Sequence, residues 1–166
     1  MSLLMVRRFI QQFGTSEWTL LALRLAVGFG FVAHGYAKLE RGPAHFAEIL
    51  AALRVPAPLA AAWLTVVVEL LGGLCLMWGV AVRKASFPLI GVMLVAMAKV
   101  HLRYGFSSIR LKAFAESGAQ FGPVGYELDL LYICALLVLA FAPATPLSLD
   151  RWWLGTRRRS SHTGSE

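Results

Sequence analysis

Residues 57–82 read APLAAAWLTVVVELLGGLCLMWGVAV and carry a single charge, Glu69. A helix needs about 20 mostly apolar residues to cross a bilayer, and this run is long enough. Barrel strands are about half that length and alternate polar with apolar positions, which this run does not do. The segment therefore predicts a membrane-spanning helix. It also sets the central question, because a carboxylate inside hydrocarbon needs a partner.

Three further apolar stretches flank it, at about 18–40, 84–103 and 125–147. The composition agrees: 166 residues, 58% hydrophobic and only 15% charged, with a mean hydropathy of +0.65. Soluble proteins carry roughly 25% charge, and so small a chain cannot hide so much apolar surface in one aqueous core. The reading is an all-α polytopic membrane protein: an antiparallel four-transmembrane-helix bundle with a short amphipathic interfacial helix at about 43–54. Pro43 suits that helix's first turn, Phe46, Ile49, Leu50 and Leu53 form its apolar stripe, and Pro56 blocks its continuation. His45, Glu48 and Arg54 are left for water.

Residues 1–16 read as a cytoplasmic N-terminal segment, 17–150 as the transmembrane domain and 151–166 as a basic cytoplasmic tail. The first stretch is too apolar and too long for a cleavable signal, and no small-residue cleavage site follows. The 16 Lys+Arg against 9 Asp+Glu give +7. In a membrane chain this charge points to anionic headgroups and topology rather than to nucleic acid. Arg7, Arg8, Arg83, Lys84, Arg151, Arg157, Arg158 and Arg159 fall on the side of the termini, which favours both termini in the cytoplasm of an inner (plasma) membrane protein. Trp152 and Trp153 read as an interfacial anchor. The loop from Arg103 to Val124 is long enough to be a lid or docking surface.

The intramembrane charges fall on stripes. Arg24, Gly28, Phe31, Gly35 and Lys38 share one face of the first span, with His34 beside it. Thr65, Glu69, Gly72 and Leu76 share one face of the second, and small residues around a charge permit close helix approach. His101 ends a stripe in the third span, where Lys99 points away and snorkels. Glu127 opens the fourth, with Asp129 on nearly the opposite face. The expectation is an outward-opening polar pocket of Arg24, His34, Lys38, Glu69, His101 and Glu127, floored by an Arg24–Glu69 ion pair. The competing reading is structural: buried pairs also fix helix register without chemistry. No metal is expected, because the spacing of His34, Glu69, His101 and Glu127 matches no standard metal motif. Cys75 and Cys134 form no CxxC and no disulfide framework. No phosphate-cradling loop, Ser/His/Asp arrangement or heme-attachment motif is present.

Several of these pieces resemble the DoxX-like family of small four-helix membrane proteins. They are Arg24-Leu25-Ala26-Val27-Gly28, His34-Gly35-Tyr36-Ala37-Lys38-Leu39, Glu69-Leu70-Leu71-Gly72-Gly73, His101 with Gly105-Phe106, Glu127, and Ser148-Leu149-Asp150. The segment Gly122-Pro123-Val124-Gly125-Tyr126 departs from the pattern, where a glycine pair is expected directly before Glu127. The resemblance implies a link to thiosulfate:quinone oxidoreductase, where a family member is a small subunit also described as part of a terminal oxidase. Other members are described as quinone- or oxidative-stress-linked oxidoreductases. Another is the membrane part of a complex with a superoxide dismutase and a sulfurtransferase-like protein.

The functional expectation is thus a component of a quinone-linked membrane oxidoreductase system of the bacterial inner membrane, a subunit rather than a complete enzyme. No cofactor is bound covalently, and quinone is the candidate. Its partners are the lipid bilayer and a partner protein or membrane complex, with a homodimer open. The alternative is a non-catalytic membrane anchor or assembly factor. A small-solute or proton transporter ranks below both.

Overall fold

A computed structural model describes residues 16–115 and 118–152. The chain is mostly helical: α1 Ser16–Glu40, α2 Pro43–Ala52, α3 Pro58–Trp78, α4 Val82–Ala96 and α5 Glu127–Phe141. A π-helical turn, Met97–His101, and a 3-10 turn, Leu102–Tyr104, extend α4. The expected N-terminal segment, Trp153 and the arginine-rich tail lie outside the described residues.

Local chemistry sets the ends of these elements. Pro43 and Pro58 occupy the first turns of α2 and α3, where a missing N–H costs nothing. Gly79 ends α3 in the left-handed conformation at φ +68°, its N–H bonding to Leu76 O and that of Val80 to Cys75 O. This is a Schellman closure, and it satisfies carbonyls that the helix end leaves open. The last helix stops at Phe141 rather than at 147. Ala142 is extended, φ −70° and ψ 153°, because the following Pro143 disfavours helical geometry at the residue before it.

Three helical segments are long and apolar enough to cross a membrane: Glu17–Glu40, Pro58–Trp78 and Val82–Tyr104. Together with the family described below, they make this a multi-pass membrane protein. The 15 residues of α5 span about 22 Å, short of the roughly 20 residues of a full crossing. All four long helices expose large apolar side chains, among them Phe29, Leu64, Leu71, Trp78, Phe87, Leu131 and Phe141. In water such a surface would be a liability; against acyl chains it costs nothing.

The bundle is antiparallel where contacts define it. At the middle of α1, Gly28 meets Gly73 of α3, and further along Gly35 meets Leu70 and Glu69. A Cβ on Gly28 would sit 2.8 Å from Gly73 O, and one on Gly73 would sit 2.7 Å from Gly28 O. Only glycine at both positions allows this backbone approach. Gly72 seats Leu89 of α4, and Phe87 of α4 meets Phe141 of α5 edge to face at 6.5 Å. The core between them is Val27, Phe31, Leu76, Leu89, Leu136 and Leu139, with Tyr132 edge-on to Phe31 at 5.4 Å. The short α2 buries Ala47 and Leu50 against Ala62 of α3 and leaves His45 and Glu48 exposed.

The loop expected from Arg103 to Val124 contains an antiparallel hairpin, β1 Leu111–Ala115 and β2 Gly118–Phe121, with an irregular register between Leu111 and Ala113. The sequence reading had no strand here. The run is short and its alternation is broken, so periodicity gave no signal.

Candidate functional site

The expected polar pocket divides into separate places, and the Arg24–Glu69 pair does not form. Glu69 instead pairs with Lys38, whose Nζ lies 2.5 and 2.6 Å from the two carboxylate oxygens. Arg24 donates to Thr145 Oγ1, to Met77 O at 3.3 Å and to Leu147 O at 3.1 Å. The cause is helix register. The Gly28–Gly73 contact fixes α1 on α3 so that Arg24 faces Gly79 at the end of α3. Glu69 lies ten residues back from that point, about 15 Å along the axis. Lys38, one turn beyond Gly35, reaches back to the carboxylate.

Glu69 is nearly fully buried, with a side chain 5% exposed, while that of Lys38 is 23% exposed. A buried carboxylate must be paired or neutral, and the ammonium on α1 supplies the pairing. Lys38 Nζ also sits 5.4 Å from the Phe46 ring centroid of α2, a cation–π contact that holds the head group toward the bundle.

A second pair forms where α4 meets α5. His101 Nδ1 lies 2.6 Å from Asp129 Oδ2. An ionised carboxylate only accepts, so Nδ1–H is the donor, and Nε2 is left as the ring's other nitrogen. Asp129 is 2% exposed and stands in the first turn of α5, where the helix dipole favours a negative charge. The sequence puts Asp129 on nearly the opposite face from Glu127, and in α5 Asp129 is buried with Ile133 and Leu136 while Glu127 bonds Ser108 N; what the sequence does not show is that His101 is its partner. The π turn Met97–His101 closes i→i+5, which rotates later side chains around the axis and brings His101 to Asp129.

The Lys38–Glu69 pair and His101 border one cavity of about 640 Å3 between α2, α3 and α4, with Asp129 behind His101 and outside the lining. Its walls are apolar, from Leu50 and Leu53 through Leu64 and Val68 to Val92 and Val95. Lys38, Glu69, Lys99 and His101 gather along it. It follows α4 from Pro88 to His101, about 20 Å of helix. Gly91 lines it with no atom within 4 Å of where a Cβ would stand, so the glycine keeps that stretch open. Lys99, expected on roughly the opposite face from His101, is exposed and also borders this cavity.

Of the six residues expected together, Lys38, Glu69 and His101 meet here. His34 is exposed and lines an adjoining groove with Lys38, Arg41 and His45, which shares Lys38, Phe46 and Ile49 with the cavity. Glu127 accepts from Ser108 N at 2.9 Å and ties the hairpin segment to the start of α5. Arg24 closes the opposite end of the bundle. Among the described residues no three His, Cys, Asp or Glu side chains converge, so the set weighed for a metal does not assemble. Cys75 and Cys134 are unpaired.

The arrangement has one chemical capacity: a long apolar slot whose polar wall offers an ammonium, a buried carboxylate and an imidazole oriented by a second carboxylate. Such a wall can hydrogen-bond an oxygen and move a proton. The family model described as DoxX matches residues 19–102, half of the chain, and so takes in Lys38, Glu69, Lys99 and His101 but not Asp129. No curated protein and no solved structure matches the chain.

Proposed function

The chain belongs to the DoxX family, and from that starting point we propose that it is the membrane subunit of a quinone-linked oxidoreductase system, with the cavity between α2, α3 and α4 as the quinone site. One observation carries this reading: an apolar slot of about 640 Å3 bordered by the Lys38–Glu69 pair and by His101 held on Asp129. The volume suits a ring with part of an isoprenoid tail, since ligand cavities run roughly 300–1,000 Å3. A bound quinone would supply the two-electron, two-proton carrier chemistry. The electrons come from a partner protein or from the substrate itself.

The chain's own residues do the rest. The Leu, Val and Gly91 walls hold an apolar tail and exclude water. Lys38 Nζ, already held by Glu69, donates to one carbonyl oxygen. His101 Nε2 exchanges a proton with the other, while Asp129 keeps the ring oriented and stabilises its charged form. Lys99 at the border adds a second ammonium to the polar wall. The surrounding membrane is the plasma membrane in this reading, with the described ends on its cytoplasmic side.

The test is quinone binding by the purified protein in nanodiscs, comparing wild type, Glu69→Gln and Gly91→Phe. Wild type is expected to bind. A Cβ at Gly91 meets nothing within 4 Å, so Gly91→Phe starts into open space and fills the slot, and it should weaken binding at least tenfold, with the unfolding midpoint measured beside it as the control for folding. Absence of binding by the wild type sinks the proposal.

A second reading, a non-catalytic anchor or assembly factor, is favoured by the hairpin. Ile109, Leu111, Phe114 and Phe121 are 59–83% exposed there. Deleting the hairpin while sparing the cavity separates the two. Loss of a co-purifying partner with intact quinone binding assigns docking to the hairpin and chemistry to the slot.

A further inference from the structure

A second enclosure lies at the far end of the bundle from Lys38, between the α3–α4 turn and the segment after α5. It has a volume of about 300 Å3 and shares Val82, Arg83 and Asp150 with an adjoining groove of about 630 Å3. The segment is fixed there by Asp150 N donating to Gly79 O at 3.1 Å, and by Arg151 pairing with Glu17 at 2.6 Å.

The charge of this enclosure is one-sided. Arg24, 1% exposed, forms its base, and the Nε of that buried guanidinium has no hydrogen-bond partner. Arg83 stands on its wall, stacked 5.4 Å from the Phe141 ring, and Lys84 borders the groove. Among the described residues neither Arg83 nor Lys84 has a carboxylate within 4 Å. Among the described residues Asp150 is the single acid lining either space. Three cations against one carboxylate, walled by apolar side chains, concentrate a positive potential. Trp152, 67% exposed, borders the groove as an amphipathic ring suited to headgroup depth. Basic pockets between membrane helices of this kind recognise phosphate head groups.

We propose that this enclosure is a phosphate-binding site, taking either the phosphodiester of an anionic lipid headgroup or a free phosphate. Arg83 and Lys84 hold the phosphate oxygens, Arg24 supplies the buried charge behind them, and Asp150 limits affinity by repulsion. This site is independent of the quinone cavity, so either proposal can fail alone.

The experiment is a thermal-unfolding titration of the detergent-purified full chain with phosphatidylglycerol, phosphatidylcholine and inorganic phosphate. Arg83→Gln/Lys84→Gln, Asp150→Asn and a control, Arg103→Gln, are titrated beside wild type. The altered side chains at 83 and 84 are exposed, so folding is retained. Phosphatidylglycerol is expected to stabilise more than phosphatidylcholine at equal mole fraction. The double variant should weaken that effect at least tenfold, Asp150→Asn should strengthen it, and the control should leave it unchanged. A saturable shift with inorganic phosphate, lost in the same double variant, assigns the free anion as the source. If the double variant responds to every ligand as wild type does, or the control weakens binding equally, the proposal is overturned.

Discussion

Gly79 and Arg24 depend on one another. A Cβ at position 79 would stand 2.3 Å from Arg24 Nη1 and 2.5 Å from Ser148 Cβ, in backbone already at φ +68°. Gly79→Ala is therefore expected to cost at least about 1–3 kcal/mol from strained backbone alone, read as a lowered unfolding midpoint in detergent. The Lys38–Glu69 pair permits a sharper measurement. Removing one partner of a buried pair costs about 3–5 kcal/mol, whereas an apolar replacement of both is close to neutral. Glu69→Leu alone should fall near the lower bound, since Lys38 is only partly buried. Lys38→Met/Glu69→Leu should recover most of that loss yet bind no quinone. A double variant that keeps full binding would leave the pair a purely structural role.

The π turn at the end of α4 is the element on which the His101–Asp129 contact rests. A π turn is one residue wider than an α turn, so deleting Val100 from Met97–His101 would restore regular geometry and rotate His101 away from Asp129. The expected outcome is a folded protein that loses proton exchange at the slot. The solution check is the 15N chemical shift of the His101 ring, which should lose its carboxylate-bonded signature. The ends of α3 and α5 show how single residues stop an apolar run. Gly79 and the Ala142-Pro143 step end helices that hydropathy alone would continue. Glycine and proline act through backbone geometry, to which a composition window is blind.

The described ends of the chain meet, because Arg151 pairs with Glu17, while the hairpin and Glu127 lie beyond the opposite end of α4. If α5 crosses the bilayer as the other long helices do, a membrane-impermeant maleimide should label Gln120→Cys, before α5, and Leu149→Cys, after it, from opposite sides, in a background with Cys75 and Cys134 replaced by Ala. Labelling of both from one side would place α5 as a partial insertion. The apolar runs and the family pieces were legible in the sequence, because lipid imposes one requirement on every spanning residue and periodicity reports it directly. That Lys38, Glu69 and His101 need partners was legible too, since a charge inside hydrocarbon calls for one. Which partner each takes was not. The choice between Arg24 and Lys38 for Glu69 turns on a shift of a few residues along the helix axis, set by the glycines at 28 and 73 coming into backbone contact. The joining of His101 to Asp129 turns on one widened helical turn. Sequence determines which side chains need company inside the membrane; only packing, through axial register and rotation, decides which of them come within reach.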